Sequence, residues 1–446
     1  MGAGCSTIDG QLGEHDRCRP RLPRSVKQRR ERRQKKKYTK PRKERKRRHV
    51  LQALNAEAQT GELLSRIPGR ICINGSTSSA CAFTQQGKKG VNQDALLVWE
   101  QFASRRDTLL CAVFDGHGPY GHLVSRRVRD MLPSKLVTAW KAHMRGELDN
   151  MDNGYASKDS EDESLEEDEE GYDTEEYAGN WPEHIGQTKQ ANPGLGKRIE
   201  DEQRRRQGHL VMRAWKECLM KTFRSMDRDL RVQPTIDCFC SGTTAILLVQ
   251  QGSELIIGNV GDSRAVLATF DEGTTALDCG TSKISEVGHL RAIQLSVDLK
   301  PNLPKEQARI RRCKGRVFAA SDEPDVPRVW LPYDSAPGLA MARAFGDFCL
   351  KDYGLISVPD ITYWTLSPDD QFVILATDGI WDVMSNTEAV EVVASAPSRV
   401  TAARLLVEGA AKLWKQKYPT SRADDCAATK MKSMAWVMKR TRMMIS

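Results

Sequence analysis

The sequence predicts an α+β fold with sheets and helices in layers, and two observations carry it. Short, fully apolar runs of strand length recur along the chain, and blocks with helical spacing separate them. Several of these runs stop at an acid that sits beside glycine, the punctuation of a strand that ends in a tight loop.

In chain order, residues 1 to about 70 read as a disordered tail and the globular pattern starts near Ile71. Leu109-Leu110-Cys111-Ala112-Val113-Phe114 reads as a buried strand that stops at Asp115-Gly116-His117-Gly118. Leu123 to His143 reads as helix, divided by Pro133. Residues from about Glu147 to Glu202 read as an acidic, disordered insertion. A helix follows over Leu210 to Leu230, with Leu210, Ala214, Leu219 and Phe223 as its apolar face. Ala245 to Val249, Leu255 to Ile257 and Ala265 to Ala268 are further strands, the last two joined by a turn-rich stretch around Asp262. Phe372 to Ala376 is another, ending in Thr377-Asp378-Gly379. A helix over Thr401 to Lys415 carries Leu405, Leu406, Ala410 and Leu413. No internal repeat is present.

Composition excludes several classes. No run of about 18 apolar residues offers a membrane span, and the N-terminus has no apolar signal core. The twelve cysteines contain no CxxC pair that suggests zinc. The net charge of +9 is an average over two opposed segments. Between Arg17 and Arg48 only Glu31 and Glu44 oppose a dense basic block, and between Glu147 and Glu176 only Lys158 opposes the acids. Neither stretch has periodic apolar residues, so both read as solvated chain. Opposite signs predict that they attract each other, and Ser160 and Ser164, each with an acid three residues on, are candidate phosphorylation sites that would strengthen the attraction.

The chemistry lies in the acids. Asp115, Asp262 and Asp378 close apolar runs next to glycine, and Asp94 and Asp424 flank small or apolar residues. Each Asp-Gly alone reads as a turn. Carboxylates gathered at strand ends on one sheet edge would raise one another's pKa, and a hard divalent cation relieves that repulsion. Oxygen-only donors select Mg²⁺ or Mn²⁺ over zinc.

Context then lifts these acids above turns. Val113-Phe114-Asp115-Gly116-His117-Gly118, Ser241-Gly242-Thr243-Thr244, Gly261-Asp262-Ser263-Arg264-Ala265, Leu339 through Asp347, and Ala376 through Val383 resemble, in order, the motifs of the type 2C metal-dependent protein phosphatases. The likeness spans about Ala80 to Cys426, and the stretches Gly87 to Asp94 and Cys349 to Leu355 are most similar to a plant subfamily. The resemblance implies a four-layer α-β-β-α fold, two antiparallel sheets face to face with helices outside. It implies hydrolysis of phosphoserine and phosphothreonine by a water activated between two Mg²⁺ or Mn²⁺ ions. Asp115 would bridge the ions, the carbonyl of Gly116 would bind one, and Asp94 would hold a metal directly or through water. Asp378 and Asp424 would complete the second site, and Asp262 and Asp382 would support a third ion. His117 would protonate the leaving alkoxide. Lys89 stands where the family commonly has a phosphate-binding Arg, and Gln93 stands where it has a Glu. Lys binds phosphate as a point charge, without the bidentate fork.

The segment after Ala428 departs from the pattern. Thr429-Lys430-Met431-Lys432 is basic where the family has a hydrophobic strand, so the sheet is expected to lack that strand. A tethered binding protein with an inactive phosphatase domain is therefore the alternative function. Cys218 to Arg224 and Cys18 to Arg24 have the spacing of thiol phosphatases, but a helix interior and a basic tail do not activate a thiolate. Trp330 falls where relatives carry a mobile flap; the flanks typical of hormone co-receptors are absent, so it reads as a packed aromatic.

Met1-Gly2-Ala3-Gly4-Cys5-Ser6 fits the N-myristoylation pattern at Gly2, with Cys5 as a palmitoylation candidate. The basic block supplies the second signal that stable anchoring to an anionic membrane needs. It fits a nuclear localisation signal equally well. With Tyr38 as its one aromatic residue it offers no base-stacking surface, so no specific nucleic acid is expected. Expected partners are phosphoprotein substrates and the membrane surface, with a monomeric chain on the cytoplasmic side or, alternatively, in the nucleus.

Overall fold

The computed structural model describes residues 62–64, 66–148, 195–270, 289–321, 323–420 and 422–432. Gly2, Cys5, the basic block, most of the acidic insertion with Ser160 and Ser164, and residues 433–446 lie outside them. The chain divides into two compact units, Met1–Val137 with Leu219–Ser446, and Thr138–Cys218.

The first unit is built on two six-stranded antiparallel sheets. One comprises β1 (Arg70–Ile71), β4 (Ala95–Glu100), β5 (Thr108–Phe114), β8 (Ala245–Gln251), β9 (Glu254–Val260) and β15 (Asp360–Thr365), neighbours in that order. The other runs β11 (Leu290–Gln294), β10 (Arg264–Phe270), β16 (Asp370–Ala376), β17 (Cys426–Lys432), β3 (Ala80–Gln85) and β2 (Gly75–Ser76). A strand sends alternate side chains to opposite faces. Thus Leu109, Cys111, Val113, Ile246, Leu248, Val373 and Leu375 form the core between the sheets. Their neighbours Val266, Phe372, Ile374 and Ala376 point the other way and pack under helices α5 (Asp378–Trp381), α6 (Asn386–Ala394) and α7 (Ala402–Lys417). Burial on both faces explains why the strands read as continuous apolar runs rather than as alternation. On the outer face of the first sheet, Leu219 and Phe223 of α2 (Leu195–Arg231) lie over Gly258.

A two-stranded ribbon of β12 (Arg316–Ala320) and β13 (Glu323–Trp330) stands apart, after α3 (Pro304–Arg312). Trp330 stacks on Phe318 at 5.1 Å and donates its indole N–H to the Phe318 carbonyl at 2.9 Å. It is a packed aromatic of that ribbon. The second unit holds the end of α1 (Gly121–Met144) and the first half of α2, where Trp140 and Trp215 stack at 4.0 Å.

The structure corrects four expectations. Pro133 does not divide α1; Val124, Val128, Leu132 and Leu136 are all buried, and their packing holds both halves in one helix. Leu210 is 70% exposed, because the buried face of α2 starts at Ala214 and Trp215. α2 itself begins at Leu195, inside the range expected to be insertion.

The fourth correction matters most. Cys426–Lys432 is a strand, and a central one: Ala428 pairs with Ala376 on one side and Phe83 on the other. The low strand propensity of Thr429-Lys430-Met431-Lys432 yields to two complete neighbouring ladders, whose backbone groups need this partner. The cost is local. Thr429 is fully buried between the sheets and its hydroxyl has no partner. Lys430 lies over the Phe372 ring at 5.2 Å, and burial, reinforced by Arg399, pushes its ammonium below the ordinary range. Thr429→Val should therefore stabilise the protein by about 1 kcal/mol, because it removes an unpaired buried hydroxyl at constant shape. Thermal unfolding should show a rise of roughly 1–2 °C; an unchanged or lower melting temperature contradicts this account of the strand.

Candidate metal centre and active site

Antiparallel pairing sets the site. Ala95 faces Phe114 across β4 and β5, and Ala376 faces Ala428 across β16 and β17. The start of one strand therefore adjoins the end of the next. Asp94 precedes β4, Asp115 follows β5, Asp378 follows β16, and Asp424 precedes β17. Asp262 occupies the turn from β9 to β10, and Asp382 follows α5.

Hydrogen bonds from neighbouring backbone and hydroxyls fix these loops. Thr377 donates its hydroxyl to Asp94 at 2.9 Å. The backbone N–H of Asp115 donates to Thr244 Oγ1 at 3.1 Å, and the Asp115 carbonyl accepts from Thr243 Oγ1 at 3.0 Å. Asp425 accepts the N–H groups of Gly87 at 2.7 Å and Gln93 at 2.8 Å, which ties the loop carrying Lys89 and Asp94 to the foot of β17. Gly116 needs its missing side chain, since a Cβ there would meet the carbonyl of Gly121 at 2.4 Å and that of Gln93 at 2.7 Å.

Burial and mutual repulsion dominate the electrostatics. Burial, then Asp425 and Asp424, hold the Asp94 carboxyl well above its usual range. Burial and Asp378 do the same to Asp115. Asp424 is pushed up to about 6 by burial and Asp378, and Asp382 to about 7 by the same two causes. Asp262 is raised by burial although Lys300 opposes it. Asp378 alone is lowered; burial raises it, but Lys300, Lys89 and a hydrogen bond from Asp115 prevail.

Among the described residues no three or more His, Cys, Asp or Glu side chains are arranged as a finished ion cage. Protons and ammonium groups supply the countercharge. Asp115 and Asp378 share a hydrogen bond, Lys89 donates to Asp424 at 2.6 Å, and Lys300 pairs with Asp262. Asp94 Oδ1 and Asp262 Oδ1 are buried with no hydrogen-bond partner. A set of oxygen donors with raised carboxyls and unpaired lone pairs fits a hard divalent cation, which would replace the shared proton and the lysines.

His117 is almost fully buried, and its Nε2 lies 2.6 Å from Asp347 Oδ2. Burial lowers its pKa, but Asp347 first, then Asp262 and Asp378, raise it above the ordinary value. Cys218 is fully buried in α2, as an inert thiol should be.

Three partners escaped the sequence reading. Asp347 lay inside a recognised motif, but nothing in the motif pointed to His117. Asp425 was hidden beside Asp424, and only its acceptance of two backbone N–H groups distinguishes it. Lys300 lies 38 residues from Asp262, beyond any local pattern.

The raised carboxyls predict a pH dependence. A carboxyl that is raised on folding contributes stability that is full below its unfolded value and is lost as pH rises through the folded one. That window runs from the ordinary aspartate value of 3.8 up to about 6 for Asp424 and about 7 for Asp382. In EDTA the melting temperature should fall between about pH 4 and pH 7, and millimolar Mg²⁺ or Mn²⁺ should remove most of the fall. A flat profile in EDTA contradicts this.

Comparison with known proteins identifies the family. The family model described as Protein phosphatase 2C matches residues 142–413. Probable protein phosphatase 2C 33 of Arabidopsis thaliana is 51% identical over 374 residues, which cover 82% of this chain and 70% of that protein. Probable protein phosphatase 2C 66 of Oryza sativa subsp. japonica is 50% identical over 370 residues, 82% of this chain and 62% of that protein. The crystal structure of serine-threonine phosphatase 2C from Toxoplasma gondii matches with a TM-score of 0.59 at 22% identity, over 82% of this chain and 99% of that one, a likeness of fold. With its ordered motifs, its paired antiparallel sheets and relatives at half identity over most of its length, the chain belongs to the protein phosphatase 2C family.

Proposed function

We propose that this chain hydrolyses phosphoserine and phosphothreonine in proteins, with two Mg²⁺ or Mn²⁺ ions held by Asp94, Asp115, the Gly116 carbonyl, Asp378 and Asp424. Asp262 and Asp382 are the candidates for a third, weaker site. The observation that carries the reading is the cluster of buried carboxyls, several raised by one another and two with an unpaired oxygen, at neighbouring strand ends of the two sheets. Bound ions of this kind lower the pKa of water and offset charge on a transferring phosphoryl group.

The chain's own groups do the rest. Lys89 stands at the cluster beside Asp424, and with a cation on that carboxylate its ammonium would be available to a phosphate oxygen. As water adds to phosphorus, the bond from phosphorus to the serine or threonine oxygen breaks. His117 gives that oxygen its proton and regains one from solvent; the net reaction consumes one water and yields alcohol and inorganic phosphate. The strand formed by Cys426–Lys432 places Asp424 at the cluster, so the reason for an inactive-domain reading falls away.

For location, we propose that Gly2 carries myristate and that the basic block between Arg17 and Arg48 binds anionic lipid, with Cys5 as a second acylation site. The Gly2→Ala variant should leave the membrane fraction for the soluble one. A wild type that is nuclear and carries no myristate by mass spectrometry assigns the block to nuclear import instead.

Activity on a phosphothreonine peptide should be abolished by EDTA, restored by millimolar Mn²⁺ and indifferent to iodoacetamide. Asp115→Asn should cut turnover by roughly 10³-fold or more, because it removes the charge central to the cluster, while the protein stays folded by circular dichroism. Loss with iodoacetamide but not with EDTA would overturn the metal mechanism.

A further inference from the structure

A small three-stranded sheet, β14 (Phe345–Gly346), β7 (Gly242–Thr243) and β6 (Gly116–His117), has strands of only two residues each. Phe345 packs on Phe223 in the interior, and the sheet pairs in a defined register. His117 pairs with Gly242, and Gly242 pairs with Gly346. That row sets His117 and the residue after Gly346, Asp347, side by side over a glycine. A Cβ at Gly242 would stand 2.0 Å from Asp347 Oδ2 and 2.7 Å from His117 Nε2, so the contact exists only above a bare backbone.

Asp347 is anchored from several directions. Its N–H donates to the Ser241 carbonyl at 3.0 Å. It adopts a φ of 50°, a left-handed conformation that a non-glycine residue holds only when its surroundings impose it. Asp227 on α2 accepts the N–H of Gly346 at 2.9 Å and the ammonium of Lys351 at 2.7 Å, and Lys351 also donates to the Ala344 carbonyl. Both partners of the contact are almost wholly shielded, with side chains 3% and 4% exposed. The other ring nitrogen of His117, Nδ1, is buried with no partner.

We propose that Asp347 is a positioning residue that acts through His117: its carboxylate holds Nε2 and leaves Nδ1 as the nitrogen that carries the proton to the leaving serine or threonine oxygen. The proposal rests on the reading of His117 as the general acid. Asp347 touches neither phosphate nor leaving group. Its task is to fix the ring plane and keep the Nε2 proton in place while the Nδ1 proton moves.

The test is a double-mutant cycle on the full chain at saturating Mn²⁺, with a phosphothreonine peptide and p-nitrophenyl phosphate as substrates. A poor leaving group needs the proton and a good one does not. His117→Ala should lower kcat on the peptide by roughly 10²-fold or more, the usual worth of a general acid. Asp347→Ala should lower it by about 10-fold or more, with a much smaller loss on the aryl phosphate. Added to His117→Ala, Asp347→Ala should cost less than about twofold more, because a residue that acts through another has nothing left to position. Asp347→Asn keeps an oxygen that can accept Nε2–H and should recover part of the peptide rate.

Equal losses from Asp347→Ala on the two substrates, or an undiminished loss in the His117→Ala background, overturn the proposal and make Asp347 structural. Asp347→Asn decides the same question if the Ala variant does not fold, since a leaving-group-independent loss in a folded Asn variant also overturns it. His117→Ala with equal losses on both substrates overturns the general-acid reading and this proposal with it. A wild type inactive on both substrates overturns the phosphatase reading as well.

Discussion

Repulsion among buried carboxylates is the constraint on which the rest of the molecule depends. Antiparallel pairing within each sheet brings strand starts beside strand ends, and this chain places an acid at several of them. The concentration of negative charge is unfavourable by itself. In this structure it is offset by the ammonium groups of Lys89 and Lys300. The surrounding scaffold resists that repulsion with loops pinned by Thr377, Thr244 and Asp425, and with cores on both faces of the second sheet. A divalent cation would meet donors that the fold has brought near one another, with side-chain movement still needed to close around it.

Much of this was legible in the sequence. The strands from Leu109, Ala245, Leu255, Ala265 and Phe372 announce themselves because burial on both faces leaves no polar residue to interrupt the run. Asp115, Asp262 and Asp378 were legible because each breaks such a run beside glycine. What the sequence concealed is of two kinds. β17 was concealed by composition: its ladders, not its side chains, determine that it is a strand, and local propensity does not register partners hundreds of residues away. Asp347, Asp425 and Lys300 were concealed by distance, since each acts on a residue from another part of the chain. Leu210 shows the converse error, a correct period with the wrong phase at a helix end.

The supporting acids divide the labour. Asp425 accepts only backbone N–H groups, so it serves as a bracket between the loop of Lys89 and the foot of β17. Asp227 brackets the loop that carries Asp347. Asp94 and Asp262 instead keep an oxygen unpaired in the interior. An oxygen left unpaired in the interior marks Asp94 and Asp262 as available to a ligand, whereas both oxygens of Asp425 are taken by backbone N–H groups.

The position of β17 has a consequence for how the protein is made. β3 and β16 do not pair with each other; β17 lies between them and pairs with both. Until Cys426–Lys432 leaves the ribosome, the second sheet has two raw edges facing one gap, and Asp424 is missing from the cluster. The contact between Gly87 and Asp425 spans 338 residues, among the most distant closures in the domain. Such non-local closure is slow, and open edges invite pairing with other chains. Nascent chains would then be both inactive and adhesive until that strand docks, and a chaperone that covers the gap would act before the enzyme can dephosphorylate anything.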